Sequence, residues 1–437
     1  MMKKLAVIGS GYVGLASAVG FAEFGCSVRC IDIDEERIDS LARGEVPFYE
    51  PDLHKKMHNN IQRGTIAFST RIDEAVKWAD VVIIAVGTPQ LPGGSADLSY
   101  IYSAAETIGQ SMDSYKIIVT KSTVPVGTNE RIKKIIEEHN RSGCDFDIVS
   151  NPEFLQEGRA MVDFMNPDRV VIGTEHQRPV ETMKKIMAPL HDKGVPFFYT
   201  DLKTAEMIKY GANCFLAMKV AYVNEMARLC DAYGIDVREV AAAVGKDSRI
   251  GGKYLNPGPG YGGSCLPKDT QAIASAAREL QVDMPLLDAV IQSNQMQKDY
   301  VVQKIRQYFG SAELDGRTIA VLGLAFKPET DDIREAPAVH IIGKLLSLGA
   351  QIRAYDPKAM DKARILWRDK ITLCADVKEA VAGADMTLIL TEWSVFRDLD
   401  PLQLKKLMGG RGFFDTRDIY KRQHIEAADL DYLGIGR

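Results

Sequence analysis

Gly9-Ser10-Gly11-Tyr12-Val13-Gly14 lies between a short apolar run, residues 5–8, and an alanine-rich stretch, 15–24, that stops at Gly25. Three glycines at this spacing, directly after a strand and opening a helix, leave the chain few ways to fold. The first permits a tight turn, the second lets the backbone approach a ligand, and the third packs helix on strand. Backbone N–H groups at the helix start then face negative charge. A second strand, 28–31, ends at Asp32, where a carboxylate can accept hydrogen bonds from a ribose. A plain strand–helix turn would need no such acid. Gly9, Gly11, Tyr12, Val13, Gly14 and Asp32 are therefore expected to hold a dinucleotide. The carboxylate repels a 2′-phosphate, which favours NAD over NADP, and Arg37 pulls weakly the other way.

The same alternation continues down the chain. Apolar runs at 81–86, closing on Gly87-Thr88-Pro89, and at 116–120, closing on Lys121-Ser122-Thr123, read as buried parallel strands. Residues 204–232 hold no proline and one glycine, Gly211, which predicts one long helix. More helix follows to about residue 308, broken by a glycine- and proline-rich segment at 251–267. The opening order then recurs: strands at 318–322, at 351–355 before Asp356-Pro357, and at 386–390. The predicted fold is α/β, with two Rossmann-like doubly wound α/β domains joined by a central helical region containing the long helix. The expected boundaries are 1–203, 204–308 and 309–437. The second copy lacks the glycine triplet, so it is expected to hold something other than a dinucleotide.

With 46% apolar and 26% charged residues, 437 residues suit a globular protein of two or three domains. A net charge of −5 gives no global pull toward nucleic acid or anionic lipid. Met1-Met2-Lys3-Lys4 has the charge of a signal n-region, but the apolar run after it ends at Gly9. No window approaches the ~18 apolar residues of a membrane span. Seven scattered cysteines fit free thiols in a reducing compartment, so a cytoplasmic location is expected. His54 and His58 have metal-ligand spacing, but Lys55 and Lys56 stand between them and no third ligand is evident. A solvated helix face is the simpler reading, and no metal is expected.

Glycines crowd around Cys265, from Gly251 to Gly263, as they would where backbone approaches a ligand closely. Lys268 and Asp269 place a cation and a carboxylate beside the thiol, and a nearby cation favours the reactive thiolate. A packed cysteine in a connecting loop is the competing reading. The other six cysteines lie in apolar or helical surroundings and read as structural. Lys209 and Asn213 are four apart on the long helix and share a face; a solvated lysine with a polar neighbour is the simpler account of them. Glu153 and Glu157 follow Asn151-Pro152, which reads as a helix start with acids in its first turn.

Across these motifs the chain resembles the UDP-glucose/GDP-mannose dehydrogenase family over essentially its whole length. The marks are GSGYVG at 9–14, VGTP at 86–89, KSTVPVGT at 121–128, NPEFLQEG at 151–158, EMIKYGANCFLAMK at 206–219, NPGPGYGGSCLPKD at 256–269 and GLAFKPETDDIRE at 323–335. The resemblance implies NAD-dependent oxidation of a sugar C6 alcohol to a carboxylate, with two NAD⁺ reduced per product. It implies Cys265 as the nucleophile of a thiohemiacetal and thioester, and Lys209 and Asn213 as oxyanion donors. Asp269 and Thr123, with Glu153 assisting, would position the hydrolytic water. It further implies NAD contacts by Arg37, Thr88, Thr123, Glu157, Lys268 and Arg334. Substrate contacts would come from Glu153, Phe154, Leu155, Glu157, Lys209, Asn213, Tyr254, Leu255, Gly262, Phe326, Lys327 and Arg417. Arg249 resembles an arginine that reaches a neighbouring subunit's substrate, so a homodimer or larger assembly is expected. Asn256 stands where some relatives carry lysine.

The run 254–260 is more similar to the family's UDP-glucose branch than to those acting on GDP-mannose or UDP-N-acetylhexosamines. A 3-hydroxyacid dehydrogenase would share the first domain and a lysine–asparagine pair, but would need neither Cys265 nor a second α/β domain. An NAD-sensing regulator would not need the thiol, lysine, asparagine and aspartate together.

Overall fold

The computed structural model describes residues 3–437; Met1 and Met2 lie outside the described residues. The chain forms two compact units, residues 1–212 and 213–437.

The N-terminal unit is built on eight strands: β1 Lys4–Ile8, β2 Ser27–Ile31, β3 Ile66–Ser69, β4 Val81–Ile84, β5 Lys116–Thr120, β6 Phe146–Ser150, β7 Val170–Gly173 and β8 Phe197–Thr200. Their order across the sheet is β3-β2-β1-β4-β5-β6-β7-β8, and the one antiparallel pairing is β6 with β7. Alternate residues of β1 serve opposite faces. Leu5 and Val7 pack with the helix Tyr12–Glu23, while Ala6 and Ile8 pack with the helices Ser99–Ser111 and Thr128–His139. Burial on both faces explains the unbroken apolar runs of these strands.

The C-terminal unit carries six parallel strands: β9 Thr318–Leu322, β10 Gln351–Tyr355, β11 Thr372–Leu373, β12 Met386–Ile389, β13 Gly412–Asp415 and β14 Asp431–Leu433. Their order, β11-β10-β9-β12-β13-β14, repeats that of β3-β2-β1-β4-β5-β6. This is the doubly wound order expected from the recurring sequence pattern. Ala227, Val301 and Ile305, from the long helix and the helix Pro285–Phe309, share one core with Ile319 and Val321 of β9. The central helical stretch of this unit therefore rests on the second sheet.

The long helix runs from Leu202 to Tyr233, close to the expected 204–232. The first helix begins at Tyr12 rather than residue 15, because Gly11 already serves as its N-cap. Among the described residues, no helix is long and apolar enough to cross a membrane.

Candidate active site

In each sheet the strand order reverses between the first and fourth strands, and ligands of doubly wound sheets settle outside the strand ends there. In the N-terminal unit the glycine loop follows β1. Gly9 has φ +103°, and a Cβ on it would lie 2.5 Å from the Ala85 carbonyl oxygen; one on Gly14 would lie 1.9 Å from that of Gly9. A Cβ on Gly11 would meet nothing within 4 Å. Gly9 and Gly14 are thus demanded by the protein's own packing, whereas Gly11 keeps open a space that a side chain would fill. The first turn of the following helix receives no side-chain cap, so its backbone donors suit a pyrophosphate.

Asp32 is tied to this loop. Its Oδ2 accepts from Ser10 N at 2.8 Å and Ser10 Oγ at 2.6 Å, and its Oδ1 accepts from Asp34 N at 3.2 Å. Burial pushes the carboxyl up, but these bonds and the Arg37 guanidinium hold it below the ordinary range. Arg37 lies 3.5 Å from Asp32 Oδ2, so its charge is directed at the carboxylate. Beyond β4 and β5, Thr88 Oγ1 donates to the Thr123 carbonyl at 3.0 Å and brings those two residues together. The open space at Gly11 and the ionised Asp32 fit a dinucleotide.

The segment after β6 corrects one expectation. Residues 151–156 form no helix; the helix starts at Ala160. Side chains take the backbone donors that a helix would have used. Glu153 Oε2 accepts from Leu155 N, Asp163 accepts from Gln156 N at 3.0 Å, and Glu50 accepts from Gly158 N and Ala160 N, both at 2.7 Å. The loop bearing Phe154, Leu155 and Glu157 is set by these bonds. Glu153 is buried, and its Oε1 lies 3.2 Å from Lys209 Nζ. Lys209 is buried as well, which overturns the solvated alternative, and its Nζ lies 5.3 Å from the Phe154 ring centroid. Glu206 fixes the start of the long helix by accepting from Gly127 N at 2.6 Å, Asn129 N at 2.8 Å and Asn129 Nδ2 at 2.7 Å.

Sequence reasoning missed Lys121. It is 5% exposed, and its Nζ donates to Asn151 Oδ1 at 3.2 Å. Burial pushes its ammonium down to about 8; Glu153 opposes the fall and Lys209 adds to it. The available signal was a lysine just after the apolar run Ile117-Ile118-Val119 and Thr120. Ser10 was missed because a serine inside a glycine loop reads as filler.

In the C-terminal unit, Cys265 is the N-cap of the helix Leu266–Glu279, where the helix dipole favours a thiolate. Its Sγ lies 3.6 Å from Ser264 Oγ. One turn on, the buried Asp269 accepts from Lys268 Nζ through Oδ1 and from Asn213 Nδ2 through Oδ2, both at 2.6 Å. The structure thus joins Asn213, Lys268 and Asp269, and Asn213 is buried rather than solvated.

The glycines before Cys265 answer mainly to the protein itself. A Cβ on Gly262 would lie 2.3 Å from the Glu335 carbonyl oxygen, and one on Gly263, at φ +86°, would lie 2.7 Å from the Phe326 ring. These two glycines are demanded by the protein's own packing, whatever else their backbone meets. Asn224 Oδ1 accepts from Gly258 N at 2.8 Å, and Asn294 Oδ1 from Tyr261 N at 2.8 Å. Gln297 Nε2 donates to the Gly258 carbonyl at 2.8 Å. Leu255 is buried in this loop, and Tyr254 takes φ +64°, unusual for a bulky side chain.

Around the reversal point of the second sheet, Arg417 Nε donates to the Leu390 carbonyl at 2.7 Å and Nη2 to that of Phe326 at 3.1 Å. Lys327 Nζ lies 5.6 Å from the Phe326 ring centroid. Phe326, Lys327 and Arg417 therefore gather at one crevice. Asp356, the counterpart of Asp32, is buried and accepts from Leu324 N at 2.8 Å, Ala325 N at 3.1 Å and Trp393 Nε1 at 3.2 Å. So committed, it is poorly placed to bind a ribose. The Arg334 carbonyl accepts from Gly263 N at 3.0 Å, in the loop that leads to Cys265. Arg334 is paired with Asp332 at 2.7 Å and the exposed Arg249 with Asp247 at 2.6 Å.

Comparison with known proteins agrees with this geometry. Three domains of the UDP-glucose/GDP-mannose dehydrogenase family match: the NAD binding domain over residues 3–191, the central domain over 203–296 and the UDP binding domain over 320–422. The UDP-glucose 6-dehydrogenase TuaD of Bacillus subtilis is 44% identical over 436 residues, covering 100% of this chain and 94% of its own. The UDP-glucose 6-dehydrogenase of Rhizobium meliloti is 43% identical, covering 99% of each chain. The solved structure of a UDP-glucose dehydrogenase from Pyrobaculum islandicum superposes with a TM-score of 0.92 at 36% identity, covering 100% of this chain and 98% of that one. The chain accordingly belongs to the UDP-glucose/GDP-mannose dehydrogenase family, and is an NAD-dependent oxidoreductase acting on a nucleotide sugar.

Proposed function

We propose that this protein oxidises UDP-glucose at C6 to UDP-glucuronate through a covalent thioester on Cys265. The observation that carries the reading is the placement of Cys265 at a helix N-terminus, one turn from a buried Asp269 held by Lys268 and Asn213. NAD, when bound, supplies the hydride acceptor, once for each of the two oxidations. The glycine loop 9–14, Asp32, Arg37, Thr88, Thr123, Glu157, Lys268 and Arg334 are assigned to hold it.

Cys265 adds as a thiolate to the C6 aldehyde, forming a C–S bond and an alkoxide. Lys209 and Asn213 stabilise that oxygen as preorganised donors. Loss of the second hydride leaves a thioester. Water, oriented by Asp269, Thr123 and Glu153, then breaks the C–S bond and releases carboxylate and thiolate. Covalent capture keeps the aldehyde from escaping between the two oxidations. Glu153, Phe154, Leu155, Glu157, Tyr254, Leu255, Gly262, Phe326, Lys327 and Arg417 are assigned to the substrate. Arg249 is assigned to the substrate of a second subunit in a homodimer or larger assembly.

The test is NADH formed per sugar consumed across UDP-glucose, GDP-mannose and UDP-N-acetylhexosamines. Two NADH per UDP-glucose, with the other sugars slow, is expected. Cys265→Ser should lose steady turnover and give at most about one turnover's worth of NADH, because a hydroxyl is scarcely ionised and its ester is a poor acyl donor. A serine variant that turns over normally, or a sugar adduct trapped on another cysteine, would overturn the mechanism.

A further inference from the structure

Lys121 stands where a lysine is expensive to keep. Its ammonium is buried at the end of β5, and an apolar side chain of similar length would spare the fold the desolvation of a charge. Its Nζ donates to Asn151 Oδ1 at 3.2 Å. Asn151 cannot turn its amide around, because Nδ2 donates to the Val171 carbonyl at 2.7 Å, and Asn151 N is bound to the Thr120 carbonyl at 2.9 Å. The oxygen is therefore held toward Lys121, two residues before Glu153. The charged groups that face Lys121 are Glu153, from the segment after β6, and Lys209, from the long helix. The ring of Phe164, from the helix Ala160–Met165, lies 5.9 Å away and carries no charge. The Glu153 carboxylate, ion-paired with Lys209 at 3.2 Å, thus acts electrostatically on a second buried cation.

We propose that Lys121 is a positioning residue for the oxidation: fixed by Asn151, its ammonium shares Glu153 with Lys209 and sets how tightly that carboxylate holds Lys209. This rests on the assignment of Lys209 to the oxyanion. With Lys121 charged, the pull of Glu153 is divided and the Lys209 ammonium is available to a developing negative charge. With Lys121 neutral, Glu153 and Lys209 close into a self-sufficient pair, and the same transition state receives less help. Since burial brings Lys121 to about 8, the change falls within the range where such an enzyme is assayed.

The experiment compares Lys121→Met, Lys121→Arg and Lys209→Ala in the full chain, measuring kcat, KM and kcat against pH. Lys121→Met should lower kcat about tenfold at pH 7, leave KM for NAD⁺ within about twofold, and lose the inflection near pH 8. Lys121→Arg should restore kcat to within about threefold and stay active above pH 8, because arginine keeps its charge. Folding of the methionine variant is not expected to suffer. An unfolded lysine binds its proton up to about 10.5 and the folded one only to about 8, so the wild-type fold gains stability as pH rises through that window. The variant should melt no lower than wild type at pH 7. A folded Lys121→Met with wild-type kcat and an intact inflection, beside an inactive Lys209→Ala, overturns this proposal alone. A Lys209→Ala that turns over normally overturns the oxyanion assignment and this proposal with it.

Discussion

Asp32 does two jobs with one carboxylate. It closes the glycine loop through Ser10 and it presents charge at the end of β2. Asp32→Ala should raise KM for NAD⁺ and narrow the preference over NADP⁺. Losing hydrogen bonds to a charged acceptor costs about 1.5–3 kcal/mol, or about ten- to a hundredfold in binding. Ser10→Ala separates the two jobs: it loosens the loop and leaves the charge, so affinity should fall modestly while the NAD⁺/NADP⁺ ratio holds. Initial rates with both cofactors check this, and an unchanged ratio in Asp32→Ala would defeat the ribose assignment. At this scale the sequence was informative wherever a residue answers to its chain neighbours. Gly9 and Asp32 stand at fixed offsets from strand ends and were legible for that reason. Lys121 and Glu153 were harder, because their meaning lies in burial and in Lys209, more than fifty residues away along the chain. The helix expected after Asn151-Pro152 failed for a related cause: Glu153 accepts from Leu155 N, two residues ahead, instead of opening a first turn.

The loop that delivers Cys265 is an element fitted by its surroundings. Gly263 faces the Phe326 ring at a positive φ, and Gly262 faces the Glu335 carbonyl, which itself belongs to a residue at φ +50°. Gly263→Ala meets both a clash and backbone strain, and should destabilise the protein by about 1–3 kcal/mol while lowering turnover, since Cys265 is two residues on. Gly252→Ala lies in the same glycine-rich stretch, but its Cβ would approach nothing closer than 3.8 Å. It should change stability by no more than about 0.5 kcal/mol. Thermal melting and steady-state rates on the pair distinguish a loop held by contact from one that is merely flexible; equal effects would refute the distinction. Strands and helices were readable from periodicity, and the repeated strand order from its recurrence. The clasp was not. Asn224, Asn294 and Gln297 read as ordinary polar residues on helices, and only the fold shows that they bind a loop more than thirty residues distant.

For the whole molecule, assembly can be argued from the long helix. Phe215, Tyr222 and Leu229 are seven residues apart, each about half exposed, and so form a line down one face. A helix with a repeating apolar line of this kind is suited to pack against another helix, and large apolar side chains are seldom left in water in a row. We expect a second copy of the chain to cover it. Tyr222→Glu places a charge in the middle of the line and should shift sedimentation toward monomer. Because Arg249 is assigned to a neighbour's substrate, turnover should fall together with the dimer fraction, while NAD⁺ binding, to which Arg249 is not assigned, should hold. Arg249→Ala should then lower turnover without changing sedimentation. If Tyr222→Glu is monomeric and fully active, the assembly is incidental to catalysis and Arg249 has no role across an interface. If the wild-type chain itself sediments as an active monomer at assay concentrations, the apolar line is covered by something other than its own copy.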